Sequence, residues 1–572
     1  MRADPAFDTD VVETPAAGVE FSIATLVETT AQRVPDRPAI VADGTAFSYA
    51  ELVDRSRRLA RYLTDHGLGA HRERAELAGH ESGQDLMAQY LHNGVEYLEG
   101  LIGAFRGRVA PFNVNHRYVA DELRNLLRNA RPAAIQFHAC FAPVLAEVLT
   151  DLPTAPLLLQ VEDGSGEPLL PGAVDYEQAL GSVSPQVDVV VAPDDLYVLY
   201  TGGTTGMPKG VLWRQADVVV AALGVRNRRA DREWTALDER LAAIPRRPQR
   251  VMPLAPYMHG AAQWFALQAL CEGNTVVLPS QPRRFDPDDA WDTAARHGVT
   301  MISIVGDAFA RPLADAIEAR PRDLPALQYL FSGGAALSTI HRRRLTTALP
   351  HLTVTETIGS SESGTQGRSA DDSAADHGAT ARTFAPGPGT VVLDEDLRGA
   401  LTPGHTGTGW LATGGRIPLG YLGDAAKTAR TFPVVDGRRL TVPGDRARLH
   451  ADGRVELLGR DATTVNSGGE KIFVEEVEAA VKAHPGVADA VVCGRPSARW
   501  GSEVVALVEP RPGIVLDPDA VLATCAEHVA RYKVPKALHI VDGVRRTPAG
   551  KSDLRWATEL AARLAEPRGS DA

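Results

Sequence analysis

Cysteine is scarce in this 572-residue chain, with only Cys140, Cys271, Cys493 and Cys525 present. They lie too far apart for a metal-ligand spacing and are too few for a disulfide framework, so a reducing compartment, the cytoplasm, is expected. No apolar run reaches the length of a membrane-spanning helix, and the opening stretch MRADPAFDTDVVETP is acidic and polar, without the apolar core of a signal peptide. A basic block is missing too. With a formal net charge of −12 the chain is not expected to bind nucleic acid. Lysine is the rarest charge: there are seven, and the first is Lys209. A GC-rich genome favours arginine codons, so a lysine kept against that background marks a place where arginine does not serve. Two of the seven, Lys209 and Lys551, sit in glycine-flanked loops.

What is present has the composition of a globular protein, 44% hydrophobic and 23% charged, and is long enough for several domains. Up to about residue 190, segments such as AELVDRSRRLARYLTDHGL carry apolar residues at helical spacing, and DLMAQYL, YLEGLIGAFRGRVAPFNV and DELRNLLRNARPAAIQF suggest strand–helix–strand repeats. DLYVLY, TAARHGVTMISIV and LQYLFSGGA continue the alternation, which predicts α/β architecture with largely parallel sheets. SADDSAADHGATA (369–381) reads as a polar loop, and VDGRRLTVPGDRARLHADGRVELLGR reads as short antiparallel strands joined by turns such as Asp452-Gly453. Beyond residue 460 the pattern changes. VEEVEAAVKAH and PDAVLATCAEHVARY read as helices, and DAVVCG, EVVALVEP and ALHIVDGV as strands of a small α+β unit. The boundary is placed near Gly459–Ala462.

The stretch YTGGTTGMPKGV (200–211) follows an apolar strand and packs glycines, threonines and one lysine together. It does not fit the P-loop spacing G-x-x-x-x-G-K-[ST], because Lys209 follows Pro208 and precedes Gly210. The chemistry is nonetheless suited to phosphate. Glycines let backbone N–H groups turn toward an anion, threonine hydroxyls add donors, and a lysine supplies a point charge.

This stretch resembles the phosphate-loop motif of the adenylate-forming superfamily of acyl-CoA synthetases, luciferases and peptide-synthetase adenylation domains. Further motifs of that family follow in its order: PLAPYMHG (253–260), FSGGA (331–335), IGSSE (358–362), PGD (443–445), GRDATTVNSGGEKIFVEEVE (459–478) and RTPAGK (546–551). The likeness covers nearly the whole chain and is greatest to bacterial acyl-CoA synthetases of fatty-acid and steroid side-chain type. It implies a large N-terminal α/β domain (1–459) with parallel-rich sheets and a small distorted barrel-like subdomain, a hinge (460–462) at Ala462, and a small mobile α+β domain (463–572). It also implies ATP, Mg²⁺ and CoA as cofactors and a small carboxylic acid, aromatic or lipid-like, as substrate.

Residue by residue, the resemblance places Thr201, Gly202, Gly203, Thr204, Thr205, Gly206 and Lys209 around the ATP phosphates, with Thr204 and Glu362 at Mg²⁺. Gly333, Gly334 and Ala335 leave room for the adenine, and Glu356, Thr357, Ile358, Gly359, Ser360 and Ser361 complete the nucleotide site. Asp445 would accept hydrogen bonds from both ribose hydroxyls, and Arg460 would reach the ribose or phosphate. Lys551 would bridge the acid's carboxylate and the α-phosphate. His259 would gate the acyl carboxylate, with Gly260, Trp264, Val305, Gly306 and Asp307 lining the acyl pocket. Gly468 and Gly469 would leave space for the pantetheine arm of CoA.

Three positions depart from the family pattern. Ala462 stands where many relatives have aspartate or lysine, Ile358 replaces an aromatic, and Gly202 replaces a serine. None removes a charged catalytic group. The expected activity is acid + ATP + CoA → acyl-CoA + AMP + pyrophosphate. The alternatives are a diazotase of the same fold activating nitrite for an aryl amine, an adenylating enzyme loading a carrier protein, and a non-catalytic AMP-binding module.

Overall fold

LMAQY, APFN, AIQFH and LLLQV become the parallel strands Leu86–Tyr90, Ala110–Asn113, Ala134–His138 and Leu157–Val161. Nearly every residue in them is buried, as expected of strands covered on both faces. The computed structural model describes residues 19–203, 206–281, 283–369, 383–460, 463–467, 470–497, 501–529, 531, 533–547 and 550–565. The helices Val95–Arg106 and Ala120–Ala130 carry the chain from the first of these strands to the second and from the second to the third. In space, Leu86–Tyr90 lies between Ala110–Asn113 and Ala134–His138. The chain thus changes direction at Leu86–Tyr90, opening a crevice at the carboxyl ends of the strands. On its other side the sheet is extended by the antiparallel hairpin Leu196–Gly203 and Gly206–Arg214 and by the short strand Gly420–Tyr421.

A second sheet runs in parallel through Pro38–Ala42, Thr275–Val277, Arg250–Pro253, Met301–Ile304, Tyr329–Gly333 and Thr353–Ser360. It then turns antiparallel through Gly364–Arg368 and Thr383–Pro386 to Val455–Arg460 and Asp445–Leu449. The late antiparallel strands therefore continue this sheet. Helix boundaries follow local chemistry. Ser48 and Glu51 cap Tyr49–Asp65 reciprocally. Asp286 and Pro287 start Pro287–His297, which ends at Gly298 in the left-handed region at φ 58°.

The C-terminal unit is a five-stranded sheet ordered Glu470–Ile472, Val465–Ser467, Gly501–Pro510, Val487–Ser497, with Ala537–Ile540 also pairing Gly501–Pro510. Its own apolar core contains Val477, Val481, Val492, Val504 and Val521. Helices Val474–Lys482, Pro518–His528 and Leu554–Arg563 complete it. The strands Val487–Ser497 and Gly501–Pro510 run longer than the sequence runs DAVVCG and EVVALVEP, because cross-strand pairing carries them through Arg495, Pro496 and Ser502.

Candidate active site

The glycine-rich stretch forms the tip of the hairpin, with Thr201 opposite Lys209 and Tyr200 opposite Gly210. Thr204 and Thr205 lie outside the described residues. Lys209 Nζ is 3.1 Å from Asp424 Oδ2 and 5.9 Å from the ring centre of Tyr421. Lys427 Nζ sits 4.9 Å over the same ring, and Tyr421 Oη donates to Glu362 Oε1 at 3.0 Å. Two lysines, a tyrosine and two carboxylates thus converge at the hairpin. Burial and the neighbouring Lys209 ammonium lower the Lys427 pKa from the usual lysine value. A hydrogen bond from the Lys427 backbone, seconded by Lys209, holds the Asp424 carboxyl below its ordinary value despite partial burial. Such a pair of crowded cations suits a polyanion.

Sequence reasoning did not include Tyr421, Asp424 or Lys427 in the site. They arrive because Gly420–Tyr421 pairs antiparallel with Val211 and Leu212, two hundred residues earlier in the chain. The one available signal was that Lys427 is among only seven lysines.

The remaining residues gather at the carboxyl ends of the parallel strands, where open α/β sheets bind ligands. Gly333 pairs with Thr357, and a Cβ at Gly333 would lie 2.6 Å from Thr357 Oγ1. A Cβ at Gly359 would meet the Gly364 carbonyl oxygen at 2.0 Å. The Ser360–Ser361 turn is tied to the hairpin by Trp213 Nε1, which donates to Ser361 O at 2.8 Å. The Glu356 carboxylate is engaged by Arg342 Nη2 at 3.0 Å and by the Leu337 N–H at 3.3 Å.

His259 is the N-cap of helix Gly260–Cys271. Gly260 packs so closely that an added Cβ would lie 2.4 Å from Leu199 Cδ2. Asn113 clasps this loop to the hairpin, its Nδ2 donating to Tyr200 O at 2.8 Å and to Met258 O at 2.6 Å. Trp264 is half-buried on the same helix. Val305 and Gly306 follow strand Met301–Ile304, and Asp307 begins the next helix. Gly306 has φ 56°, and an added Cβ would sit 2.4 Å from Ala336 O.

Asp445 and Arg460, fifteen positions apart in sequence, face each other across one antiparallel ladder. Lys551 is exposed and follows Gly550, whose added Cβ would be 3.3 Å from Val305 O and 3.1 Å from Ala308 Cβ. The Lys551 loop of the C-terminal unit is therefore seated against the Val305–Ala308 segment. Ala462, Gly468 and Gly469 lie outside the described residues. Nearby, Gly459 adopts φ 128° against the Glu475 carboxylate, and Thr463 Oγ1 donates to Glu475 Oε1 at 3.0 Å.

Two sheets with ligand-suited crevices, a cationic hairpin and a C-terminal lysine loop folded over them define a nucleotide-using enzyme of two unequal units. The chain belongs to the AMP-binding enzyme family, whose description matches residues 27–422, and the AMP-binding enzyme C-terminal domain matches residues 476–551. It is 50% identical over 543 residues to the medium-chain acyl-CoA ligase Mig of Mycobacterium avium, covering 95% of this chain and 98% of that one. It is 38% identical over 555 residues to a 3-oxocholest-4-en-26-oate–CoA ligase of Rhodococcus rhodochrous, covering 94% and 96%. Among solved structures, ATP-bound MatB from Rhodopseudomonas palustris shares the fold at TM-score 0.77 and 23% identity, covering 96% of this chain and 100% of that one. The anthranilate CoA ligase AuaEII does so at 0.78 and 18%, covering 96% and 98%.

Proposed function

We propose that this chain is an ATP-dependent carboxylate–CoA ligase that acts on medium-chain, lipid-like acids through an acyl-adenylate in the cytoplasm. The observation that carries the reading is the 50% identity, over 95% of the chain, to a medium-chain acyl-CoA ligase. In the first half-reaction a carboxylate oxygen of the acid attacks the α-phosphorus of ATP, the bond from that phosphorus to the bridging oxygen of the β-phosphate breaks, and pyrophosphate leaves. In the second, the CoA sulfur attacks the acyl carbon, the bond to the AMP oxygen breaks, and the thiol proton passes to solvent. The first step brings two anions together, so it needs fixed positive charge.

Lys209 exchanges Asp424 for a β- or γ-phosphate, and Lys427 neutralises the same end of the triphosphate. Lys551 bridges carboxylate and α-phosphate. Asp445 and Arg460 grip the ribose side, and Gly333, Gly334 and Ala335 admit the adenine edge. His259, Gly260, Trp264, Val305 and Gly306 border the acyl group. Among the described residues no three His, Cys, Asp or Glu side chains converge as a metal site. Glu362, which accepts from Tyr421 Oη at 3.0 Å near Lys209, would help hold a Mg²⁺ carried in with the triphosphate, with Thr204 as its proposed second ligand. That ion would supply charge neutralisation on the pyrophosphate. Residues 463–572 turn about 460–462 between the half-reactions, withdrawing Lys551 and bringing Gly468 and Gly469 to the pantetheine arm.

A panel of acids assayed with ATP, with and without CoA, and read by mass spectrometry tests this. Medium-chain acids giving acyl-CoA, AMP and pyrophosphate only when CoA is present is the expected result. A diazonium product from nitrite and an aryl amine, or acyl transfer to a carrier protein in preference to CoA, would replace the reading with that activity.

A further inference from the structure

Lys482 closes the helix Val474–Lys482 and Asp307 opens the helix Asp307–Ala319, so each charge already favours its own helix end. The two ends meet between the units. Lys482 Nζ lies 3.5 Å from Asp307 Oδ2 and 3.1 Å from Asp489 Oδ1, and the three side chains are 13%, 8% and 10% exposed. Asp489 also accepts from Arg546, at 2.7 Å from Nε and 2.5 Å from Nη2. Arg546 in turn stands at the base of the Lys551 loop and donates from Nη1 to Gly550 O at 3.4 Å. That loop is closed by the Thr547 N–H donating to Lys551 O at 2.7 Å and the Gly550 N–H donating to Thr547 O at 2.8 Å. A second pair crosses the same junction, Arg311 Nη1 with Glu509 Oε1 at 2.8 Å, and Glu509 Oε2 accepts from the Val544 N–H at 2.9 Å. A continuous set of charges thus runs from the start of the large unit's helix to the backbone that carries Lys551.

We propose that the Lys482–Asp307 pair, seconded by Arg311–Glu509, is the latch that seats Lys551 for adenylation, making Lys482 and Asp307 positioning residues for that half-reaction alone. The inference rests on the two half-reactions and the rotation proposed above. A buried ion pair is a poor moving part when opening it strands a charge. Here neither partner is stranded. Lys482 retains Asp489 within its own unit, and Asp307 retains the Ser338 N–H at 2.7 Å and gains water. The latch can therefore open without leaving an unpaired buried ion, while closing adds an attraction that exists only in the adenylation arrangement. Burial alone would lower the Lys482 pKa, but Asp489 and Asp307 outweigh it and hold the ammonium above the usual lysine value. The Lys482 ammonium is consequently charged throughout the neutral range. Glu478, one turn back on the same helix, accepts from the Val492 N–H at 2.9 Å and from Ser552 Oγ at 3.4 Å, tying the far side of the Lys551 loop to the helix that carries Lys482.

The test separates the half-reactions in Lys482→Met and Lys482→Arg. Acyl-AMP formation is followed by pyrophosphate release, and thioester formation by acyl-CoA yield from preformed acyl-AMP and CoA. For Lys482→Met the expected result is a fall of about tenfold or more in kcat for acyl-AMP formation, with KM for ATP and the thioester rate within about twofold of wild type. Lys482→Arg, which keeps the charge, should recover most of the loss. Equal losses in both half-reactions, or undiminished adenylation, overturn the proposal. If Lys482→Met does not fold, Arg311→Ala removes the more exposed pair, and the same asymmetry in smaller measure is expected; no asymmetry overturns the proposal. A wild-type enzyme that makes acyl-AMP but no thioester would instead refute CoA as the acceptor, and the Lys482 effect on adenylation would still decide the latch.

Discussion

Lys209 rests in an ion pair that a bound triphosphate would have to replace in the role proposed for it. Its Asp424 partner is also the N-cap of the helix Ala425–Thr431, so the carboxylate stays placed when the lysine leaves it. Lys209→Ala removes a charge-assisted phosphate contact of about 1.5–3 kcal/mol, which corresponds to roughly a 10- to 150-fold rise in KM for ATP. Pyrophosphate release measured against ATP concentration checks it; an unchanged KM would take Lys209 out of the nucleotide site. Lys209, Glu362, Asp445 and Lys551 were expected in the site because each falls in a short glycine- or serine-containing motif that resembles the family's, and not because its local sequence alone demanded it. Tyr421 and Lys427 were not, since nothing near them in the chain says which strand Gly420–Tyr421 pairs with.

Among the elements, three neighbouring parallel strands lead into histidines at their carboxyl ends: His92, His116 and His138. The rings of His92 and His116 are 4.6 Å apart and those of His92 and His138 5.7 Å. Burial, reinforced by His92, pushes His138 down to about 4. Its Nδ1 accepts from the His92 N–H at 2.9 Å, a role that needs the neutral ring. A folded-state pKa below the unfolded value of about 6.5 means the unfolded chain takes up the proton first, so this group's contribution is intact above pH 6.5 and is lost as pH falls toward 4. His138→Asn keeps an acceptor and removes the titration. Its stability relative to wild type should improve by up to about 3 kcal/mol between pH 7 and pH 4, read as the difference in urea midpoints. A pH-independent difference would show that His138 does not titrate there. The strands were legible from short, mostly apolar runs alternating with helical patterns. The histidine cluster was not, because strand order depends on a crossover that periodicity does not encode.

For the whole molecule, the division into two unequal units was readable from the change of pattern after residue 460, and the way they meet was not. Helical periodicity assigns Val477 and Val481 to a core without saying that Lys482 faces a carboxylate 175 residues earlier in the chain. Function at this scale is tested by separating the steps. Lys551→Ala should slow acyl-AMP formation by about 10²–10³, the usual effect of removing one preorganised group, and spare thioester formation from preformed acyl-AMP. A bulky residue at Gly468 should do the opposite. Stopped-flow or quench measurement of each step checks both, and a Lys551→Ala enzyme defective equally in both steps would tie the lysine to stability rather than to adenylation.

The scarcity of lysine then acquires an experimental use. With seven lysine side chains in 572 residues, amine-directed footprinting reports on individual places in the mechanism. Lys551 is exposed, Lys209 is about one-third exposed beside Asp424, and Lys482 is shut between two carboxylates. Reactivity toward an acylating label should fall in that order. Nucleotide should shield Lys209, and only turnover with CoA should bring Lys482 into reach of the reagent, so a peptide map of seven positions can follow the two units through one catalytic cycle.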